Sequence, residues 1–499
     1  MAKVLVSNIR GADGVVTPSL QVLANQAMNA SDDALSAKAA SELAASDAQA
    51  SAAGAAAAAV PAMLAASTAA LTAGADPTRH MPSEVVLMSP TTAAPSMTGG
   101  TAASSATGWT LTAAGGAATL MASLPLGTPM NIGPAQSICV DIDIPDVSKI
   151  NVLTVYLWHD SGLTTALRWG YASNANNMPV TLVNGRNTIR IPWAAFFSGG
   201  ITRTGIKTNW GKPYRLAVAF SRTPAANIDA GTTATIRRVW AEVHRAGKML
   251  IIGDRGYKSW VDGGYPALKA LKVPVTWAPD LDLFGSGVGG IFEAVTEARM
   301  HELAKENGNS ISFHGKTGGP TSGMTAAELA AETAYCRDWL RHYGYQGRIW
   351  RAAYVQNQAG AAADPLVTDQ LLASRTHTGH QRDEIWPPID QYDLYCNSIE
   401  NTSTAAANQT MIDDWFDIMK ATNSLMIRFF HRIDETDQFS TRKANWDYFV
   451  SKVSAAISEG WLEGVTFEDL FYGTGGNFEQ RNGTAISRWT ALPTRRVIN

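Results

Sequence analysis

The hydrophobic pattern changes its period near residue 247, and that change limits the fold more than any other feature. From about 105 to 245 the apolar residues alternate with polar ones. The stretch "SICVDIDIP" puts Ile138, Val140, Ile142 and Ile144 on one face and Asp141 and Asp143 on the other, the period of two expected of a half-buried strand. "NVLTVYLWHD", "RNTIRIPWAAF", "YRLAVAFSR" and "ATIRRVWAEVHR" continue it between Gly, Asn and Pro turns. From 248 onward apolar runs alternate with helix patterns: "KMLIIG", "YPALKALK", "VPVTWAP", "EARMHELAKENG", "SISFHG". Antiparallel alternation predicts a β-sandwich over 105–246, and strand–helix–strand units predict a parallel sheet that closes into a (β/α) barrel over 247–475. At 499 residues the chain has room for two or three such units.

Upstream, residues 20–75 are dominated by alanine, with Met28 and Leu35 one heptad apart and Leu43 one residue past the next. Helix propensity is high there, but bulk for a core is small, so copies of the chain have to supply it. The segment is expected to form a helical, coiled-coil stalk ended by Gly74 and Pro77, with a flexible Ala/Ser linker as the alternative. Residues 1–19 then form an attachment segment, 76–104 a Gly/Ser/Thr/Ala-rich linker, and 476–499 a tail with no evident physical role.

A formal net charge of -3 gives no basic excess for nucleic acid. The amino terminus lacks the features of a secretion signal, so the chain is expected to stay unprocessed. The stretch around Ala52–Leu71, interrupted by Gly54 and Pro61, is too weakly apolar for membrane insertion. Cys139, Cys336 and Cys396 are odd in number and far apart, which argues against a disulfide framework and against a thiolate zinc site.

Three strand ends deliver polar groups: Asp254 after "LIIG", His314 after "SISF" and His431 after "MIRFF". In order and spacing, "IGDRGY", "YPALKALKVPVTW", "ELAKENGNSISFHGKTG", "IWRAAY", "FFH" and "EGWLEGVTFEDL" resemble the polysaccharide deacetylases of carbohydrate esterase family 4, over about residues 248–470. The resemblance implies a distorted (β/α) barrel that removes N- or O-acetyl groups. It makes Asp254 the general base, Arg351 the arginine that pairs with Asp254 and keeps it charged, and His314 a ligand of a divalent metal such as zinc; His431 matches its late histidine and, were no metal bound, would donate a proton to the leaving group. Two positions depart from the family: Arg255 stands where a metal-binding Asp belongs, and Gly318 replaces the second histidine. At an effective dielectric of about 20, unit charges 4 Å apart interact by roughly 4 kcal/mol, so an arginine there opposes a divalent ion by about 8 kcal/mol. Asp280, Asp282, His377 and His380 are the replacement ligands within reach by sequence. Without a metal, Arg255 or His314 would stabilise the oxyanion. Tyr257, Trp277 and Trp386 are expected to bind substrate, with Trp260, Tyr392 and Tyr395 near the same loops.

The sandwich, with its strand followed by "IPWAAF", loosely resembles carbohydrate-binding jelly-roll modules; a sandwich without ligand fits equally. Head, stalk, sandwich and sugar-active barrel in that order resemble bacteriophage tail fibres and tailspikes. That layout implies a homotrimer in the virion, made in the host cytoplasm, with bacterial surface polysaccharide and other tail or baseplate proteins as partners. Three readings remain open: a polysaccharide deacetylase, a metal-free barrel that grips glycan or scaffolds the tail tip, and a glycoside hydrolase pairing Asp254 with Asp280 or Asp282. The stalk predicts a trimer by light scattering at micromolar concentration, and a monomeric mass would remove it.

Overall fold

The computed structural model describes residues 82–472 apart from 126–128, 163–167, 175–179, 199–209, 224–225, 291, 317–323, 344, 346–349, 352–372, 377–393, 401–403, 434–436 and 438. The expected head, stalk and tail, together with Gly318, His377, His380, Trp386 and Tyr392, lie outside the described residues.

The alternating segment forms two facing antiparallel sheets. The strands are β1 (Ser83–Met88), β2 (Ser96–Thr98), β3 (Gly100–Ser105), β4 (Gly108–Ala113), β5 (Leu120–Pro125), β6 (Ala135–Ile144), β7 (Val152–Trp158), β8 (Arg168–Ala172), β9 (Gly185–Pro192), β10 (Phe197–Ser198), β11 (Arg215–Ser221) and β12 (Thr233–Val243). One sheet runs β3-β4-β12-β6-β9 with β1 also on β12, and the other runs β10-β8-β7-β11-β5-β2. Ile138, Val140 and Ile142 of β6 meet Leu153, Val155, Leu216 and Val218 of the second sheet in a shared core. On the outer side Asp141 is covered, because Arg186 grips it through two hydrogen bonds of 2.9 and 2.6 Å. The expected linker is part of this fold: β1, β2 and β3 occupy residues 83–105. Their weak pattern has a physical cause, since β3 pairs along β4 at the sheet's edge with most of its side chains exposed and little to bury.

From Gly247 the sheet is parallel. Its strands are β13 (Gly247–Arg255), β14 (Thr276–Pro279), β15 (Ser310–Ile311), β16 (Trp350–Arg351), β17 (Ala373–Thr376), β18 (Leu394–Tyr395) and β19 (Leu425–Phe430). The short β20 (Arg432–Ile433) and β21 (Ser440–Thr441) precede β22 (Leu462–Val465). The pairing order is β15-β14-β13-β19, with β22 against the first half of β13. A second set runs β16-β17-β18, and a parallel bridge from Asn397 to Arg428 joins its end to β19. Together they make an arc in cyclic chain order; a pairing of β15 with β16 that would close it is absent among the described residues.

Helices α1 (Lys258–Gly263), α2 (Tyr265–Ala270), α3 (Glu297–Lys305), α4 (Ala326–His342), α5 (Ala405–Thr422), α6 (Lys443–Ser458) and α7 (Phe467–Tyr472) connect the strands. The "TAAE" before α4 forms a capping box, Thr325 accepting from the Glu328 amide while the Glu328 carboxylate accepts from the Thr325 amide.

Residue parity sorts the two faces of the arc. Met249 and Ile251, Trp277, Ile311 and Phe313, and Met426 and Phe430 lie in the core shared with the helices. Leu250 and Ile252, Ala278, and Ile427 and Phe429 lie in the opposite, inner core. Asp254 ends the inner row of β13, and Asp280, His314 and His431 continue the inner rows past the carboxyl ends of β14, β15 and β19. Two links join sandwich and arc: Ile418 of α5 lies in the sandwich core, and the Asn423 amide donates to the His244 carbonyl at 2.6 Å in the turn between β12 and β13.

Gly253 allows Trp277 to lie against β13, since a Cβ there would come 2.6 Å from Trp277 Cε3. Gly253→Ala is expected to destabilise the chain by about 1–3 kcal/mol through overpacking, read as a lower urea midpoint.

Candidate active site

Asp254 ends the inner row of β13 and is 1% exposed. A carboxylate this deep requires a counter-charge. Arg375 of β17 supplies it: its guanidinium donates to Asp254 Oδ2, donates from Nη1 to Cys396 Sγ at 3.2 Å, and lies 4.4 Å over the Phe429 ring. Burial is the largest single influence and works against the Arg375 charge, but Asp254 and Cys396 together outweigh it and raise the guanidinium's pKa. Burial pushes the Cys396 thiol up, with Arg375 pulling the other way, so the sulfur stays a neutral thiol. Asp254 Oδ1 is buried and has no hydrogen-bond partner among the described residues.

His431 follows β19 on the same inner row. Its Nε2 lies 3.7 Å from Asp254 Oδ2 and its Nδ1 lies 3.0 Å from Glu400 Oε1, so the ring bridges two carboxylates. The acid and the nominated proton donor therefore meet. His314 reaches the same edge but joins a second cluster, with Nδ1 at 2.8 Å from Asp280 Oδ1 and Arg255 Nη1 at 3.7 Å from Asp280 Oδ2. The two clusters adjoin through consecutive residues of β13, Asp254 and Arg255.

Arg255 has φ 61 and Gly256 φ 70, so the chain leaves the strand through two left-handed residues. For a residue with a Cβ that conformation costs about 1–2 kcal/mol, and it directs the guanidinium toward Asp280 instead of along the strand's alternation.

The metal set implied by the family does not fit here. Asp280 is shared by a guanidinium and an imidazole, and no group of three His, Cys, Asp or Glu side chains converges among the described residues. The carboxylates of the glycoside-hydrolase reading are engaged elsewhere: Asp280 as above, and Asp282 with the Tyr335 hydroxyl at 2.9 Å and Lys316 at 3.7 Å. Cys139, Cys336 and Cys396 are all buried, and none is in a disulfide.

Three of the rings expected at the sugar site, Trp277, Trp260 and Tyr257, are buried. Trp277 is fully buried, edge-on to Trp260 at 5.0 Å and Tyr265 at 5.2 Å. Its odd parity sends it to the helix side. Trp260 is likewise core, and Tyr257 is 8% exposed beneath Phe292 and Arg432. Tyr395 belongs to β18, and Trp386 is outside the described residues. Arg351 is the last residue of β16, paired in register with Ser374; the arginine on Asp254 is Arg375. Arg375 and Glu400 were missed from sequence. Arg375 sits in "ASRT", immediately before the "HTGH" that attracts notice as ligands, and Glu400 follows a strand of two residues too short to show a period.

No family model and no curated protein matches the chain. Among solved structures it is similar to polysaccharide deacetylases of carbohydrate esterase family 4. One is the family 4 domain of a multidomain xylanase from the hindgut metagenome of Trinervitermes trinervoides, at 11% identity and a TM-score of 0.31, covering 47% of this chain and 93% of that one. Another is a family 4 acetyl xylan esterase from Clostridium thermocellum in complex with a cobalt ion, at 13% identity and a TM-score of 0.30, covering 45% and 90%. It is also similar to a family 11 carbohydrate-binding module from Clostridium thermocellum, at 14% identity and a TM-score of 0.23, covering 33% and 97%. Scores this low carry no argument about chemistry, which rests on the side chains themselves.

Removing Arg375 leaves a buried carboxylate alone. Arg375→Met is expected to cost about 3–5 kcal/mol in urea denaturation, and adding Asp254→Asn should recover much of that loss in a double-mutant cycle.

Proposed function

We propose that the parallel-sheet region is a hydrolase that removes acetyl groups from polysaccharide without a resident divalent metal. The observation that carries this reading is the approach of Asp254 and His431 to 3.7 Å, each fixed from behind by a partner of opposite or complementary charge, Arg375 and Glu400. Asp254 Oδ1 takes a proton from water as the water attacks the acetyl carbonyl. The oxyanion of the tetrahedral intermediate is held by the Arg255 guanidinium, which Asp280 orients. As the C–O or C–N bond breaks, His431 Nε2 gives its proton to the leaving oxygen or nitrogen, and acetate departs. Asp254 then returns its proton through His431 to restore both groups.

The order of segments supports a wider role for the whole chain as a bacteriophage tail fibre or tailspike component in the virion. In that role the sandwich binds, and the arc modifies, bacterial surface polysaccharide. A second reading, a catalytically inactive deacetylase fold that grips glycan, is favoured by one observation: Asp254 and His314 are 1% and 3% exposed, so the acid is closed to solvent in this state.

Acetate release from acetylated polysaccharide separates the two. The hydrolase reading expects release that survives EDTA and falls by at least about 10²-fold in Asp254→Asn, the scale of a lost general base. Equal release from wild type and Asp254→Asn would sink it, and loss in EDTA restored by zinc would return the metal.

A further inference from the structure

With Tyr257, Trp260 and Trp277 buried, we infer that Phe292 is the ring on which a sugar of the substrate stacks, an assignment that rests on the polysaccharide-acting reading of this edge. Phe292 is 53% exposed, and two other exposed apolar side chains, Val288 at 83% and Phe439 at 49%, occupy loops of the same edge. Val288 and Phe292 share the loop that follows β14, and Phe439 lies between β20 and β21.

Backbone contacts fix where Phe292 stands. The Val295 amide donates to the Gly256 carbonyl at 2.9 Å and the Lys258 amide to the Glu293 carbonyl at 2.8 Å, while Tyr257 and Ala294 form an antiparallel bridge. The loop that carries Phe292 is thus tied to the turn that leaves Asp254. From the other side the Arg432 guanidinium lies 4.3 Å over the Phe292 ring and 5.4 Å over Tyr257, and Arg432 is the residue after His431. Arg432 is itself 1% exposed and ion-paired with Asp437, so it does not swing away. Tyr257 meets Phe292 edge to face at 6.1 Å.

A large apolar ring held by a buried cation and a buried tyrosine, with more than half its surface outside, has lost its side-chain freedom before any ligand arrives. That preorganisation suits the flat C–H face of a pyranose, which gives dispersion contact without demanding a hydrogen bond. Through Tyr257 and Arg432 the ring is joined to the turns that follow Asp254 and His431. Phe292 acts as a binding residue and takes no part in proton transfer.

The test uses the full chain with two probes, partially O-acetylated xylan fragments and N-acetylglucosamine oligomers. Phe292→Ala is expected to raise KM about tenfold while kcat falls less than about twofold, and Phe292→Tyr to restore KM. In the Asp254→Asn background, direct binding of the same probe should weaken by about the same tenfold when Phe292→Ala is added. Unchanged KM and unchanged binding in Phe292→Ala overturn the assignment even where acetate is released, as does failure of the wild-type chain to bind either probe. Absence of acetate release, with binding still lost in Phe292→Ala, supports the stacking ring while removing the hydrolase reading. A thermal midpoint unchanged in Phe292→Ala separates lost binding from lost folding.

Discussion

The buried contact between Asp254 and Arg375 organises the parallel region. Each side chain is 1% exposed, and they are 121 residues apart in sequence. Charges this deep are tolerated only in company, since removing either from water costs several kcal/mol and each must recover that from the other and from further contacts. Arg375 finds them in the sulfur of Cys396, the residue after β18, and the face of Phe429 of β19. One guanidinium therefore ties β13, β17, β19 and the end of β18 to a single point on the inner side of the arc. His431, the residue after the strand that carries Phe429, is delivered beside the carboxylate by the same registration.

Much of this was legible from hydrophobic parity. Runs such as "KMLIIG" and "LMIRFF" are apolar at every position because both faces of a parallel sheet are covered, so composition alone does not say which face a residue takes. Counting by twos does: 250, 252 and 254 lie on one side, as do 427, 429 and 431, and Asp254 and His431 inherit that side from the leucine and phenylalanine before them. The same count places Trp277 among the helices, which is why an aromatic residue at a strand end turned out to be core. Exposure of Phe292 has no such signature, because it depends on a glycine-rich loop with three left-handed glycines, Gly285, Gly287 and Gly289.

What sequence did not yield is explained by strand length. β16, β17 and β18 contribute two, four and two residues, too few for a period, so neither the partner of Asp254 nor that of His431 could be read from pattern. Resemblance pointed to Arg351, one strand over from Arg375. At the amino-terminal side of the sandwich, β3 pairs at an edge where small polar residues suffice, and an edge strand of that kind is indistinguishable from a linker by composition. Arg255 represents a different difficulty: its residue type announced a departure from a metal site, but its left-handed backbone, which sets where the charge goes, is invisible in the letters.

The join between β12 and β13 has a mechanical meaning. Three residues separate the strands, an α5 side chain is sunk in the sandwich core, and the Asn423 amide clasps the turn. A pull applied to the sandwich is consequently delivered to the base of β13, the strand that ends in Asp254, and not absorbed by a slack tether. Whatever the sandwich holds, it holds at a set distance and bearing from that carboxylate, as a vice holds work under a tool.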